Sequence, residues 1–121
     1  LNAKITTPFK IIAGKLIEME RIEKLTAFLA QNPADAFVQH ALALEYIKIG
    51  NTKQAAEIFK SIIQNEPHNT GTYYHLAKLL TAAGEKSEAL VVYEKGIEIC
   101  KQVGDQHALR ELLNAYEDLI Y

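Results

Sequence analysis

The sequence predicts an all-α chain built of antiparallel helix pairs, and three observations carry that prediction. About half of the 121 residues are apolar and only 3 are proline, a composition that suits packed helices better than a disordered chain. In residues 52–65, Ala55, Ile58, Phe59, Ile62 and Ile63 recur at spacings of three and four, the stripe of an amphipathic helix. The pattern then repeats. Moved by 34 residues, Leu42-Ala43 becomes Leu76-Ala77, Gly50 becomes Gly84, Ala55 becomes Ala89, Phe59 becomes Tyr93 and Ile63 becomes Ile97.

That period, with two helices and a turn inside it, resembles the tetratricopeptide repeat. The family pattern W-x2-L-G-x2-Y…A-x3-F…P is met by Leu42, Tyr46, Ala55, Phe59 and Pro67, with Gln39 at the Trp position and Ala43 at the Gly. In the next unit Tyr73, Leu76, Ala77, Ala89 and Tyr93 match, while Leu80 stands at the Tyr and Lys101 at the final Pro. The resemblance implies a right-handed superhelix of antiparallel helix pairs. Its parts would be an N-terminal extension 1–18 and a domain 19–121, made of a partial repeat 19–33, repeats 36–69 and 70–103, and a capping helix 105–120. It also implies a non-catalytic module that binds a protein or peptide segment in a concave groove.

Taken in order, Thr7-Pro8 reads as a cap followed by proline at the first helical position. Phe9, Ile12, Leu16, Met19, Ile22, Leu25 and Phe28 or Leu29 continue at spacings of three and four. One helix is therefore expected over 8–31 despite Gly14, which costs roughly 1 kcal/mol relative to Ala. The competing reading takes Met19, the only methionine, as the natural start, with residues 1–18 upstream of it. Asn32-Pro33 ends the helix. Leu25, Phe28 and Leu29 take the places of Phe59, Ile62 and Ile63 one repeat later, which makes residues 20–31 the second half of a degenerate terminal unit.

Asp35 caps a helix over 36–49. Gly50 suits the left-handed residue that ends it, and Asn51 caps 52–65 with Gln54 three positions on. After Pro67, His68-Asn69-Thr70 turns the chain into 70–83, with Asn69 or Thr70 as the cap. Gly84 breaks that helix, and 86–102 follows with Ala89, Leu90, Tyr93, Ile97 and Cys100 inward. Gly104 and Asp105 separate it from a last helix, 106–119, whose apolar side is Leu109, Leu112, Leu113, Tyr116 and Ile120. The small residues Ala43, Ala55, Ala77 and Ala89 let helices approach toward the short end of the usual range of about 8–10 Å, and Tyr46, Phe59, Leu80 and Tyr93 fill the spaces between.

A net charge of −2 gives no electrostatic reason to expect a nucleic acid or an anionic membrane surface as partner. No run approaches the roughly 18 apolar residues of a membrane span, and the run 9–17 is interrupted by Lys10 and Lys15 with no cleavage signal after it. A single cysteine, Cys100, allows no intrachain disulfide and fits a reducing, cytoplasmic setting. Catalysis has little to work with. Ser61 and Ser87 sit where helix surfaces and caps explain them, and Cys100 lies among apolar neighbours with no base to activate it. His40, His68, His75 and His107 show neither HExxH nor zinc-type spacing, so no metal and no cofactor is expected.

In the family, the first helix of each pair lines the concave side. Carried over by phase, the partner-binding residues are Phe37, His40, Leu44, Ile47 and Lys48, then Tyr74, His75, Lys78 and Thr81. Phe37, Leu44 and Ile47 are large and apolar. They form either a partner patch with Tyr74 as anchor or a surface covered by the N-terminal or capping helix. The chaperone-binding members clamp a C-terminal carboxylate with Lys and Asn; His40 and Leu44 occupy the first two of those positions here, and His75 the Asn of the next repeat. The clamp is not reproduced, which points to an amphipathic or apolar segment instead. The rival reading is a homodimer that buries the same groove, or the N-terminal helix through Ile5, Phe9 and Ile12.

Overall fold

The computed structural model describes residues 2–121, with side chains described from Pro8 onward. Among these residues lie six α-helices and no strand: α1 (Asn2–Gln31), α2 (Ala36–Lys48), α3 (Thr52–Asn65), α4 (Thr70–Ala82), α5 (Lys86–Val103) and α6 (Gln106–Ile120). They divide into two compact units, one ending at Ala55 and the other beginning at Ala56.

In the first unit α1 is one continuous helix that begins before Thr7, so Pro8 lies inside it and not at its first turn. A proline there forgoes one hydrogen bond of the ladder. The residues after it are rich in Ile, Leu, Lys and Glu, which carry the helix onward. Ile5, named above with Phe9 and Ile12, lies outside the residues whose side chains are described. The helix ends where the Asn32 amide bonds back to the Phe28 and Leu29 carbonyls at 3.0 and 3.2 Å. The Gln39 side-chain amide donates to the Pro33 carbonyl at 2.6 Å, and Asp35 caps α2 by accepting from the Val38 amide at 3.0 Å.

The second helix packs on α1, whose half-buried Ile22, Leu25 and Leu29 share one face. Between the two helices a Glu45 carboxylate is buried, with its Oε1 3.8 Å from Arg21 Nη1 and 3.2 Å from Lys48 Nζ. Its other oxygen accepts no hydrogen bond. Gly50 takes φ 85° beyond the end of α2, and Asn51 caps α3 by accepting from the Gln54 amide at 3.2 Å.

The second unit holds a closed core. Tyr73 and Ala77 of α4, Tyr93, Ile99 and Cys100 of α5, and Ala108 and Leu112 of α6 are buried together. What lets these three helices meet is Gly96, because a methyl group there would sit 2.6 Å from Tyr73 Cβ and 3.0 Å from Leu112 Cδ1. The buried stripe of α5 thus runs Ala89, Tyr93, Gly96 and Cys100 with Ile99 beside it, while the expected Leu90 and Ile97 are only half-buried. Ile120, expected on the apolar side of α6, is exposed because it stands at the last turn.

The entrances to these helices are fastened by side chains. The Tyr73 hydroxyl donates to the Pro67 carbonyl at 2.6 Å, and burial, with a smaller effect from Cys100, raises its pKa. Asn69 takes the N-cap position of α4, but its side-chain oxygen accepts from the buried Thr72 hydroxyl at 3.0 Å and caps no backbone amide. Asp105 does two jobs: it accepts from the Ala108 amide at 3.0 Å as the cap of α6 and from the Thr70 hydroxyl at 2.6 Å. Those two bonds, the Thr70 one first, hold its carboxyl below the ordinary value. Ala43, Ala55, Ala77 and Ala89 are all fully buried, as the spacing of small residues requires.

Candidate functional site

Helices advance about 100° per residue, so the buried residues of α2 and α4 fix where their other faces point. On α2, Leu42, Ala43 and Glu45 face inward. Phe37, His40, Leu44, Ile47 and Lys48 fall on the other side. Phe37 is 84% exposed, and His40, Leu44 and Ile47 are half-buried. Lys48 is exposed, with its ammonium on Glu45. An aromatic side chain left in water forgoes burial worth roughly 1.5–3 kcal/mol. This makes Phe37 the most conspicuous side chain of that face.

On α4 the buried residues are Thr72, Tyr73, Leu76, Ala77 and Leu80, and Tyr74, His75, Lys78 and Thr81 lie on the other side. Only Lys78 is exposed. Tyr74 is half-buried against the core of the second unit. His75 stacks on Phe59 with ring centroids 5.7 Å apart and planes at 18°, and meets Tyr74 edge-on at 5.8 Å. Burial lowers its pKa, partly offset by Glu111, so the ring is neutral at physiological pH. The Thr81 hydroxyl donates to the Ala77 carbonyl at 2.8 Å. Tyr74, His75 and Thr81 are therefore engaged within their own unit, and Lys78 is the group of this face most open to a ligand.

A second feature escaped the sequence reading. The residues Lys60, Ile63, Tyr73, Leu76, Glu88 and Val91 border an apolar cleft of about 330 Å³ on the second unit. Val91 is 65% exposed, and Lys60 Nζ meets Glu88 Oε1 at 3.1 Å across the rim. The signal was the run Leu90-Val91-Val92, since three consecutive apolar residues on a helix cannot all face one core.

The chemistry of the remaining groups is plain. Cys100 is buried and free, and burial, followed by the charge of Asp105, pushes its thiol up, away from the nucleophilic thiolate. Among the described residues no group of three His, Cys, Asp or Glu side chains is placed to hold a metal ion. Among them, too, no helix is long and apolar enough to cross a membrane.

Comparison with known proteins agrees with this architecture. A family model described as tetratricopeptide repeat matches residues 46–113. A TPR repeat-containing protein of Pseudomonas aeruginosa is 28% identical over 91 residues, which cover 75% of this chain and 87% of that protein. A crystal structure of a tetratricopeptide repeat domain protein from Salinibacter ruber aligns with TM-score 0.67 at 35% identity, covering 70% of this chain and 94% of that one. The TPR2B domain of yeast Sti1, in a complex with pHsp70, aligns with TM-score 0.77 at 19% identity, covering 91% of this chain and 88% of that one. At that identity the last likeness is one of fold.

Proposed function

Because the chain belongs to the tetratricopeptide repeat family, whose domains generally mediate contacts between proteins, we propose that it binds a segment of another protein and catalyses no reaction. The repeats would be 36–69 and 70–103, with 19–33 as a partial unit and 105–120 as the capping helix. The working faces are those of α2 and α4. On the face of α2, Phe37 supplies the apolar anchor on the same side as His40, Leu44 and Ile47, with Lys48 for charge; on the face of α4, Lys78 supplies charge and Tyr74, His75 and Thr81 shape the surface around it. The observation that carries this reading is the exposure of Phe37 on the face of α2 turned away from Leu42 and Ala43.

The ligand this chemistry fits is an amphipathic segment, apolar on one side and carrying carboxylates for the lysines. A cytoplasmic partner agrees with the lone thiol. Selection of peptides from a random display library on the wild-type chain tests the idea. The selected peptides should pair large apolar residues with acidic ones, and should bind at least tenfold more weakly to Phe37→Asp and to Lys78→Glu. Both substitutions fall on exposed side chains, so melting temperatures should stay close to wild type. Peptides that bind both variants as well as wild type would move the site elsewhere, with the cleft beside Val91 the next place to look.

A further inference from the structure

Between Phe9 and Met19, α1 carries apolar side chains that the fold leaves exposed. Phe9 is 70% exposed, Ile12 58%, Leu16 59% and Met19 51%. At about 100° per residue these four share one stripe, roughly a third of a turn away from the face of Ile22, Leu25 and Leu29 that packs on α2. Their spacing is three, four, three, which is the a and d pattern of a two-stranded coiled coil. Phe9 and Leu16 take the a positions and Ile12 and Met19 the d positions.

The flanking charges select the occupant. With that register Lys15 stands at g and Glu20 at the e position of the following heptad. In a parallel, in-register pair of identical helices, each g residue faces the next e residue of its neighbour, so Lys15 of each copy meets Glu20 of the other. An antiparallel pair would bring g against g, Lys15 against Lys15. Glu23 falls at the next a position, where two carboxylates would face each other, and this ends the stripe where α1 turns to its own α2. We infer that the chain self-associates through the exposed stripe of α1 as a parallel, in-register homodimer.

The stripe is short, so the dimer should be modest, with a dissociation constant of roughly 1–100 μM. Sedimentation equilibrium of the whole chain across that range should show a monomer–dimer equilibrium. Ile12→Asp with Leu16→Asp should leave only monomer, with unchanged helicity because both positions are exposed. Lys15→Glu should weaken association roughly tenfold, since two attractive pairs become repulsive, and adding Glu20→Lys should restore it. Met19→Cys should cross-link to its own counterpart on mild oxidation. A strict monomer at every concentration would overturn the inference, as would a dimer indifferent to the double Asp variant. So would a cross-link between mixed Phe9→Cys and Met19→Cys chains in preference to the like pairs, because that marks an antiparallel arrangement or a different partner face.

Discussion

The helices α1 and α5 each carry a glycine in mid-helix, and the two glycines have opposite meanings. Around Gly14 nothing lies within 4 Å of where a side chain would begin, whereas the same position at Gly96 is already occupied by Tyr73 and Leu112. The one is an open site on a helix whose apolar stripe faces water. The other is the point at which three helices close over a core. A residue that local propensity scores as a defect in both helices is thus a weakness in the first and a requirement in the second. The comparison teaches that helical order around Gly14 rests on the helix itself and around Gly96 on packing.

The sharpest way to break that contrast is Gly96→Leu. It should destabilise the second unit by about 3 kcal/mol, since the added atoms overlap the Tyr73 Cβ and cannot move aside without shifting α4 or α6. Denaturant unfolding measures this directly, and a loss under about 1 kcal/mol would mean the helices can spread apart cheaply. A smaller effect should come from His75. Its folded pKa is lowered by burial, so the unfolded chain takes up the proton first as the solution is acidified. Its contribution to stability is therefore complete above the unfolded value of 6.5 and is lost as pH falls through the lower folded value. Urea midpoints for wild type and His75→Phe should diverge in this sense below about pH 6.5. Parallel pH profiles would assign the acid sensitivity to another group. Smallest of all is Gly14→Ala, which should raise helicity and stabilise by about 0.4–1 kcal/mol, with nothing to clash against.

Features that depend on a few neighbouring residues were legible from the sequence. Asp35, Asn51 and Asp105 cap where a short polar side chain precedes an apolar stripe, and Gly50, Gly84 and Gly104 all take positive φ where a helix had to stop. The buried alanines were visible through their recurrence. What lay hidden depended on the far side of a contact. Gly96 carries no local mark of its role, because its reason is a tyrosine on another helix. Thr7-Pro8 looked like a beginning since that is where proline is cheapest, yet the helix runs through it. For the candidate face, phase alone gave the side of α2 and α4 on which the residues sit. It did not show that Tyr74 leans on the core or that Thr81 spends its hydroxyl on Ala77.

One bond carries further than its length suggests. Thr70 stands at the threshold of α4 and Asp105 at that of α6, 35 residues on, and the 2.6 Å contact between them ties two helix beginnings into a single knot. The carboxylate that nucleates the last helix is the same one that steadies the doorway of the fourth. Fraying at the C-terminal helix would therefore be felt at the start of α4, far back along the sequence, so that the closing segment acts as a latch for residues laid down well before it.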